Sequence, residues 1–379
     1  MDSAGRRPHV RLDSRTVLLL RETGCERAFA MVSAGSDTVA LDSDICADDS
    51  FADDVPPSSG AGALRFGQIY ENMLLEKGAR SLRPAIEATL AADRHFGPLM
   101  TTAEFDVQTF ARGPEGTITS PGNESVWKET SKLIISRFRD NARGSILIHP
   151  VIRVPSTSRP IYLVPDVLIS PPRYPYYVPF EIKSYERMAH LTEDHHIASA
   201  TVQASLYLYS LMHGAGEGEA YPEQDRPRSD LRVGIVFRVN GTALPDPALV
   251  SAERDLAAIA KILEGVQVED DAFLARFGQK FETIRSGRLS PIEHVASTFS
   301  DACAHACRLA GRCRDVAKTQ QLLTAYGDAL LHAYPGYASV GQIQQAIRNR
   351  PADLVDPNLA RLFAVEDEID RLLRLVTFP

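Results

Sequence analysis

Two stretches decide the fold: IYLVPDVLIS at Ile161–Ser170 and PFEIKSY at Pro179–Tyr185. Both are rich in β-branched and aromatic residues and read as strands. Pro165 cannot donate to a sheet ladder, so Asp166 sits where the first strand ends or bends. In the second, period-two geometry puts Glu181 and Lys183 on one face, while Phe180 and Ile182 point into a core. Two carboxylates and an ammonium then converge at a sheet end. That set suits phosphodiester hydrolysis. Asp166 and Glu181 offer hard oxygen ligands to Mg²⁺ or Mn²⁺, and the Ile182 carbonyl adds a further one. A cation there acidifies its bound water and stabilises developing charge. Lys183 orients the attacking water or neutralises charge in the transition state. A plainer explanation stands beside this one: Glu and Lys two apart are common on exposed strands, and Pro-Asp is a common turn dipeptide.

Further expected elements surround this centre. Helices are expected over Leu64–Lys77 with Gly78 as the stop, from Ser81 and Pro84 to near Gly97, and over Glu124–Asn141. A strand is expected over Ser145–Val154, and the central pair over Pro160–Ser170 and Tyr177–Lys183. A helix over Ile197–His213 and a strand over Leu231–Val239 complete the core. Short strands are expected at Thr16–Leu20, Arg27–Val32 and Thr38–Leu41. They are followed by an acidic, Pro- and Ser-rich linker, DDSFADDVPPSSGAGA, at Asp48–Ala63. Beyond Asn240 the pattern is helical: Ala248–Gly265, Asp271–Arg285, Ser290–Cys313, Val316–Ala333 and a final pair after Val340. The expected class is α/β, a mixed sheet flanked by helices with a helical C-terminal region. The expected divisions are 1–62, 63–240 and 241–379.

The helix after the Glu-Ile-Lys strand reads ASATVQASLYLYSLM. It puts Gln203 and Tyr207 on one face beside the apolar stripe Val202, Leu206 and Tyr209. An amphipathic helix with packed tyrosines explains this; so does a pair that touches metal ligands or DNA. The order of Gly67–Glu71 (GQIYE), Asp166, Glu181-Ile182-Lys183 and Gln203–Tyr207 resembles the RecB-like family of PD-(D/E)xK nucleases. That family shows a GxxxH helix, a PD strand, an ExK strand and a QxxxY helix in this order. Glu71 stands where the family has histidine, as another metal ligand, an orienting group or a solvated helix charge. The resemblance implies a restriction-endonuclease-like fold and a Mg²⁺- or Mn²⁺-dependent deoxyribonuclease. It also implies an exonuclease acting on single strands or DNA ends, in host defence or repair.

The five cysteines extend the resemblance. DACAHACRLAGRC places Cys303, Cys307 and Cys313 close together. One branch of the RecB-like nucleases, which includes the CRISPR-adaptation exonucleases, binds a [4Fe-4S] cluster. It does so with one cysteine before the first helix motif and three after the QxxxY helix. Cys46 matches the lone position, with Cys25 as the fallback. Four thiolates are the usual cluster ligands. Here three residues separate the first two cysteines of the trio, where the family generally has two. Zinc on the same thiolates, with or without His305, is the rival, and buried free cysteines are the third reading.

Other features narrow the function. With 379 residues, 44% hydrophobic and 24% charged, the chain has ordinary globular composition. A formal net charge of −8 does not mark a nucleic-acid binder, so that role must rest on local charge. Arg137, Arg139, Arg143, Arg153 and Arg159 supply such charge, as a DNA track or as solvated surface. His190, His195 and His196 cluster before the Gln203 helix, as phosphate or metal contacts or as a polar helix start. The longest early apolar run, Val17–Leu20, is far short of the roughly 20 residues of a membrane span, and no signal-peptide core is visible. A cytoplasmic placement is the default. No phosphate-cradling GxxxxGK[ST] and no nucleophile elbow occur. Besides the nuclease, two readings stay open: an idle nuclease-fold scaffold with a protein partner in a nucleoprotein complex, and a metal- or redox-sensing regulator.

Overall fold

The computed structural model describes residues 61–100, 104–110, 121–155, 161–187, 194–214, 226–267, 310–326, 328–349 and 357–376. It also describes Val17, Leu20, Arg21, Cys25, Ala28, Phe299, Cys303 and Cys307. The chain forms two compact units. The first takes Met1–Arg21, Val32–Gly35 and Pro57–Gly278, and the second takes Glu22–Met31, Ser36–Pro56 and Gln279–Pro379. Among the described residues no helix is long and apolar enough to cross a membrane.

The first unit runs α1 (Ala61–Ala79), α2 (Arg83–Ala92), β1 (Phe105–Thr109), α3 (Pro121–Arg139), β2 (Gly144–Ile148), β3 (Ile152–Val154), β4 (Ile161–Leu163), β5 (Val167–Ser170), β6 (Val178–Arg187), α4 (Asp194–His213), β7 (Arg232–Val239), β8 (Pro245–Ser251) and α5 (Glu253–Gln267). Six strands make one mixed sheet in the order β1-β2-β5-β6-β7-β8. β1–β2 and β6–β7 are parallel and the other neighbours antiparallel. Each parallel pair is joined through a helix, α3 or α4, because parallel neighbours need a long crossover. β3 and β4 form a separate hairpin.

Alternation along the strands sorts the two faces. On one, Phe105, Ile146, Ile148, Val167, Ile169, Phe180 and Ile182 pack against Tyr70 and Leu74 of α1 and Ile86 and Leu90 of α2. On the other, Val233 packs with Ala204 and Leu208 of α4 and Leu256 of α5. Each large side chain so buried contributes about 1.5–3 kcal/mol. Phe180 lies flat over Gly234, its register partner on β7, where an added Cβ would stand 2.1 Å from the ring. Phe105 covers Gly144 in the same way in the other parallel pair.

Several elements differ from the sequence reading. Val17, Leu20 and Ala28 are helical, where strands are expected, and Arg21 is helical too. Val17 and Leu20 are both buried at helical spacing, and the leucine-rich run favours helix. The Thr38–Leu41 segment lies outside the described residues. α1 carries non-helical backbone at Glu76–Gly78, with Gly78 at φ 76°, consistent with glycine as the breaker. β1 is an edge strand that the sequence reading lacks. The Ser145–Val154 run divides into β2 and β3 at His149 and Pro150, where His149 takes φ 52°. Residues 245–251 form β8, so 248–251 are strand where a helix is expected, and the first unit continues beyond Asn240 through α5.

The second unit contains α6 (Ala310–Thr319), α7 (Asp328–Ala333), α8 (Val340–Asn349) and α9 (Pro357–Val376). Leu323, Ile343 and Leu359 form its small core. The expected Asp271–Arg285 helix lies outside the described residues, as does most of the Ser290–Cys313 helix.

Candidate active site

The site lies where β2 ends and β5 begins, with β6 on the other side of β5. Ile148 pairs with Val167, and Val167 with Phe180. Continuing that register one residue sets Asp166 beside His149 on one side and Glu181 on the other. Backbone bonds fix the arrangement. The His149 N–H donates to the Asp166 carbonyl at 3.1 Å, and the Ile182 N–H donates to Asp166 Oδ2 at 2.7 Å. Pro165 therefore ends one strand segment and leaves Asp166 to accept from the neighbouring strand. Ile182 enters the site through its N–H, and its side chain is buried in the core.

Glu71 arrives from α1, whose neighbours Tyr70 and Leu74 anchor it on the sheet. Tyr70 donates its hydroxyl to the Phe237 carbonyl at 3.2 Å. Burial pushes the Tyr70 phenol up to about 12, with Arg238 opposing and Asp246 adding to the shift. Glu71 Oε1 lies 3.1 Å from His149 Nε2. One ligand atom each from Glu71, His149 and Asp166 falls within 4.8 Å of the others. Among the described residues this is the group of His, Cys, Asp or Glu side chains with donor atoms gathered so closely. Two carboxylate oxygens and an imidazole nitrogen suit Mn²⁺ and other borderline divalent ions, and the carboxylates suit Mg²⁺. His149 was missed from the sequence. Its signal is a lone histidine, followed by proline, inside an otherwise apolar strand run. Glu71, where the sequence resemblance expects a histidine, thus meets an imidazole that comes from another element.

Glu181 and Lys183 project from β6 toward α4. Lys183 Nζ donates to Glu181 at 2.7 Å and to Gln203 Oε1 at 2.8 Å. Gln203 Nε2 in turn donates to the Tyr207 hydroxyl at 2.7 Å. Burial alone would lower the Lys183 pKa, but Glu181, with Asp166 and Tyr185 behind it, holds the ammonium above its ordinary range. Burial drives the Tyr207 phenol well above its usual value, and Glu181 and Asp166 reinforce the shift. Asp166 is 8% and Glu181 3% exposed. Glu181 Oε2 is buried with no hydrogen-bond partner in the protein, a costly state for a carboxylate oxygen unless a cation or water meets it. That orphaned oxygen fits a divalent ion in this site.

Other candidates fall elsewhere. Arg137 is 6% exposed. It donates to Ser170 Oγ and the Pro171 carbonyl, both at 2.8 Å, so it ties α3 to the sheet and does not track a backbone. Arg143 pairs with Asp106 at the start of β2, the strand end away from His149. Arg153 lies over the Trp127 ring, centroid distance 5.4 Å. Arg159, His190 and the side chain of His195 lie outside the described residues, while His196 stacks on Tyr185.

In the second unit Cys25, Cys303 and Cys313 are buried, Cys307 is half-buried, and all four are free of disulfides. The Cys307 N–H donates to the Cys303 carbonyl at 2.8 Å, so the two lie one helical turn apart. Cys46 and His305 lie outside the described residues. No protein-family model and no curated protein matches the chain.

Proposed function

We propose that the chain is a Mg²⁺- or Mn²⁺-dependent deoxyribonuclease built on a PD-(D/E)xK core, acting on single strands or DNA ends. One observation carries the reading. Asp166 and Glu181 lie side by side at a sheet end, with Lys183 bonded to Glu181 and one Glu181 oxygen buried without a partner. Glu71, His149 and Asp166 would hold the cation, with Glu181 adjoining. When bound, such an ion supplies Lewis acidity and an acidified water. The protein side of the work follows from the contacts. Lys183 keeps its proton and offsets charge on a phosphate or orients water. Gln203 fixes Lys183 and Tyr207 together. The defence or repair setting is carried by the family resemblance alone.

The test is cleavage of end-labelled single-stranded and duplex DNA with Mg²⁺ or Mn²⁺. Wild type is compared with Asp166→Ala and Lys183→Ala, with folding checked by circular dichroism. Metal-dependent cleavage lost in both variants is expected. Equal cleavage by all three, or none by wild type, would sink the assignment and leave the idle scaffold.

For the cysteines, we propose a second metal centre in which Cys303, Cys307 and Cys313 are joined by Cys25 or Cys46. Their thiol-only donor set suits a [4Fe-4S] cluster, with zinc as the rival. Iron, sulfide and zinc analysis of anaerobically purified protein, beside Cys307→Ser, decides between them. Bound metal below 0.1 equivalent, as an order-of-magnitude threshold, would refute the centre.

A further inference from the structure

We propose that Tyr185 and His196 form a nucleobase-stacking subsite beside the carboxylates, so that the polynucleotide is taken as an unpaired strand. The inference rests on the nuclease reading and adds how the substrate is held. On β6, Glu181, Lys183 and Tyr185 follow one another at spacing two. On α4, His196, Gln203 and Tyr207 follow at spacings of seven and four, one face of a helix. The two series meet in three rungs. Tyr207 lies close enough to Glu181 for the carboxylate to hold its phenol up, Gln203 bonds Lys183, and His196 stacks on Tyr185.

The inner rungs are polar and largely enclosed. The outer rung is aromatic, and Tyr185 remains 37% exposed. The two rings lie 3.8 Å apart between centroids at 16°, a near-parallel stack. A base can extend such a stack at the same spacing, and any base suffices because each has a π face. A base inside a duplex has both faces covered by its neighbours and cannot join it. Tyr185 stands two residues from Lys183 on β6 and stacks on the same helix that carries Gln203, which puts the stacked nucleotide next to the carboxylates. At the same strand end, Arg238 lies 5.0 Å over the ring of Phe66, which is 44% exposed, and its Nε reaches the Ser184 carbonyl at 3.4 Å.

The experiment is fluorescence anisotropy of the full chain in Ca²⁺ with a labelled oligodeoxynucleotide, an abasic strand of equal length and a hairpin duplex. Oligonucleotide integrity is verified on gels, and Mg²⁺ and Mn²⁺ cleavage lanes run in parallel. Wild type should bind the base-bearing strand roughly 5- to 100-fold more tightly than the abasic one. Tyr185→Ala should erase that preference and Tyr185→Trp restore it. A protein that cleaves, yet binds base-bearing and abasic strands alike, overturns the stacking subsite alone. Tyr185→Ala with an undiminished preference does the same. Base-dependent binding lost in Tyr185→Ala, from a protein that cleaves nothing, supports the subsite and overturns the nuclease reading alone.

Discussion

Replacing Asp166 with Asn should make the metal-free protein no less stable while abolishing its response to Mn²⁺. The variant keeps an oxygen to accept the Ile182 N–H, now 2.7 Å away, and removes one negative charge. That charge lies within 4.8 Å of a Glu71 ligand atom, which at an effective dielectric of about 20 is a repulsion of about 3 kcal/mol. Its relation with Lys183 is attractive, so the net change should fall between about 0 and +2 kcal/mol of stability. For wild type, Mn²⁺ at about 100 times its Kd adds about 2.7 kcal/mol. For a domain of about 200 residues that is a rise in Tm of roughly 5–10 °C. Asp166→Asn should show less than a third of that rise. Differential scanning calorimetry with 0–5 mM Mn²⁺, on the order of the concentrations needed for such saturation, reads both quantities. An equal Mn²⁺ rise in the two proteins would refute the placement of Asp166 on the ion. A metal-free variant destabilised by more than about 2 kcal/mol would show that the carboxylate's attractions outweigh its repulsion.

Four other expectations are independent of that one. His149→Ala should raise the half-saturating Mn²⁺ concentration by at least the roughly 10-fold that loss of a mere supporting group causes; an unchanged titration would remove His149 from the ligand set. Gly234→Ala places a Cβ 2.1 Å from the Phe180 ring and should cost about 1–3 kcal/mol in urea unfolding, against which an unshifted midpoint would count. Arg137→Met should cost about 3 kcal/mol through its lost bonds to Ser170 and Pro171, yet leave DNA affinity per folded molecule unchanged; a selective loss of affinity would restore it as a backbone contact. The folded chain holds the protons of Tyr70, Lys183 and Tyr207 more tightly than the unfolded chain does. Their contribution is therefore complete below pH about 10 and falls as pH rises beyond it, as the unfolded chain releases protons that the folded one keeps. Unfolding free energies from pH 8 to 11 should be flat and then decline, less steeply in Tyr70→Phe; a rise above pH 10 would contradict the shifts.

The Pro-Asp and Glu-Ile-Lys strands were legible because proline and period-two alternation act locally. Gln203 and Tyr207 were legible as one helix face for the same reason. His149 was not: its role arises from a strand break at Pro150 and from a glutamate 78 positions upstream, a long-range contact with no periodic signature. β1 was missed because its burial is confined to Phe105 in a pattern that is otherwise largely exposed. Residues 248–251 of β8 read as helix because no glycine or proline separates them from α5, and pairing with β7 selects the strand. Arg137 looked like surface charge, since nothing in its helix spacing announces that it reaches Ser170 across the sheet end.

The ring of Phe180 over the bare backbone of Gly234 has a consequence for interpreting inactive variants. Were β6 to slide by one position against β7, the ring would meet the side chain of Val233 or Ile235, and Glu181 would turn to the opposite surface. This contact is thus an alignment key for the strand that presents the carboxylate. Substitutions there would displace Glu181 while touching none of the side chains around it, and a survey that ranks positions by distance from Asp166 and Glu181 would misfile them.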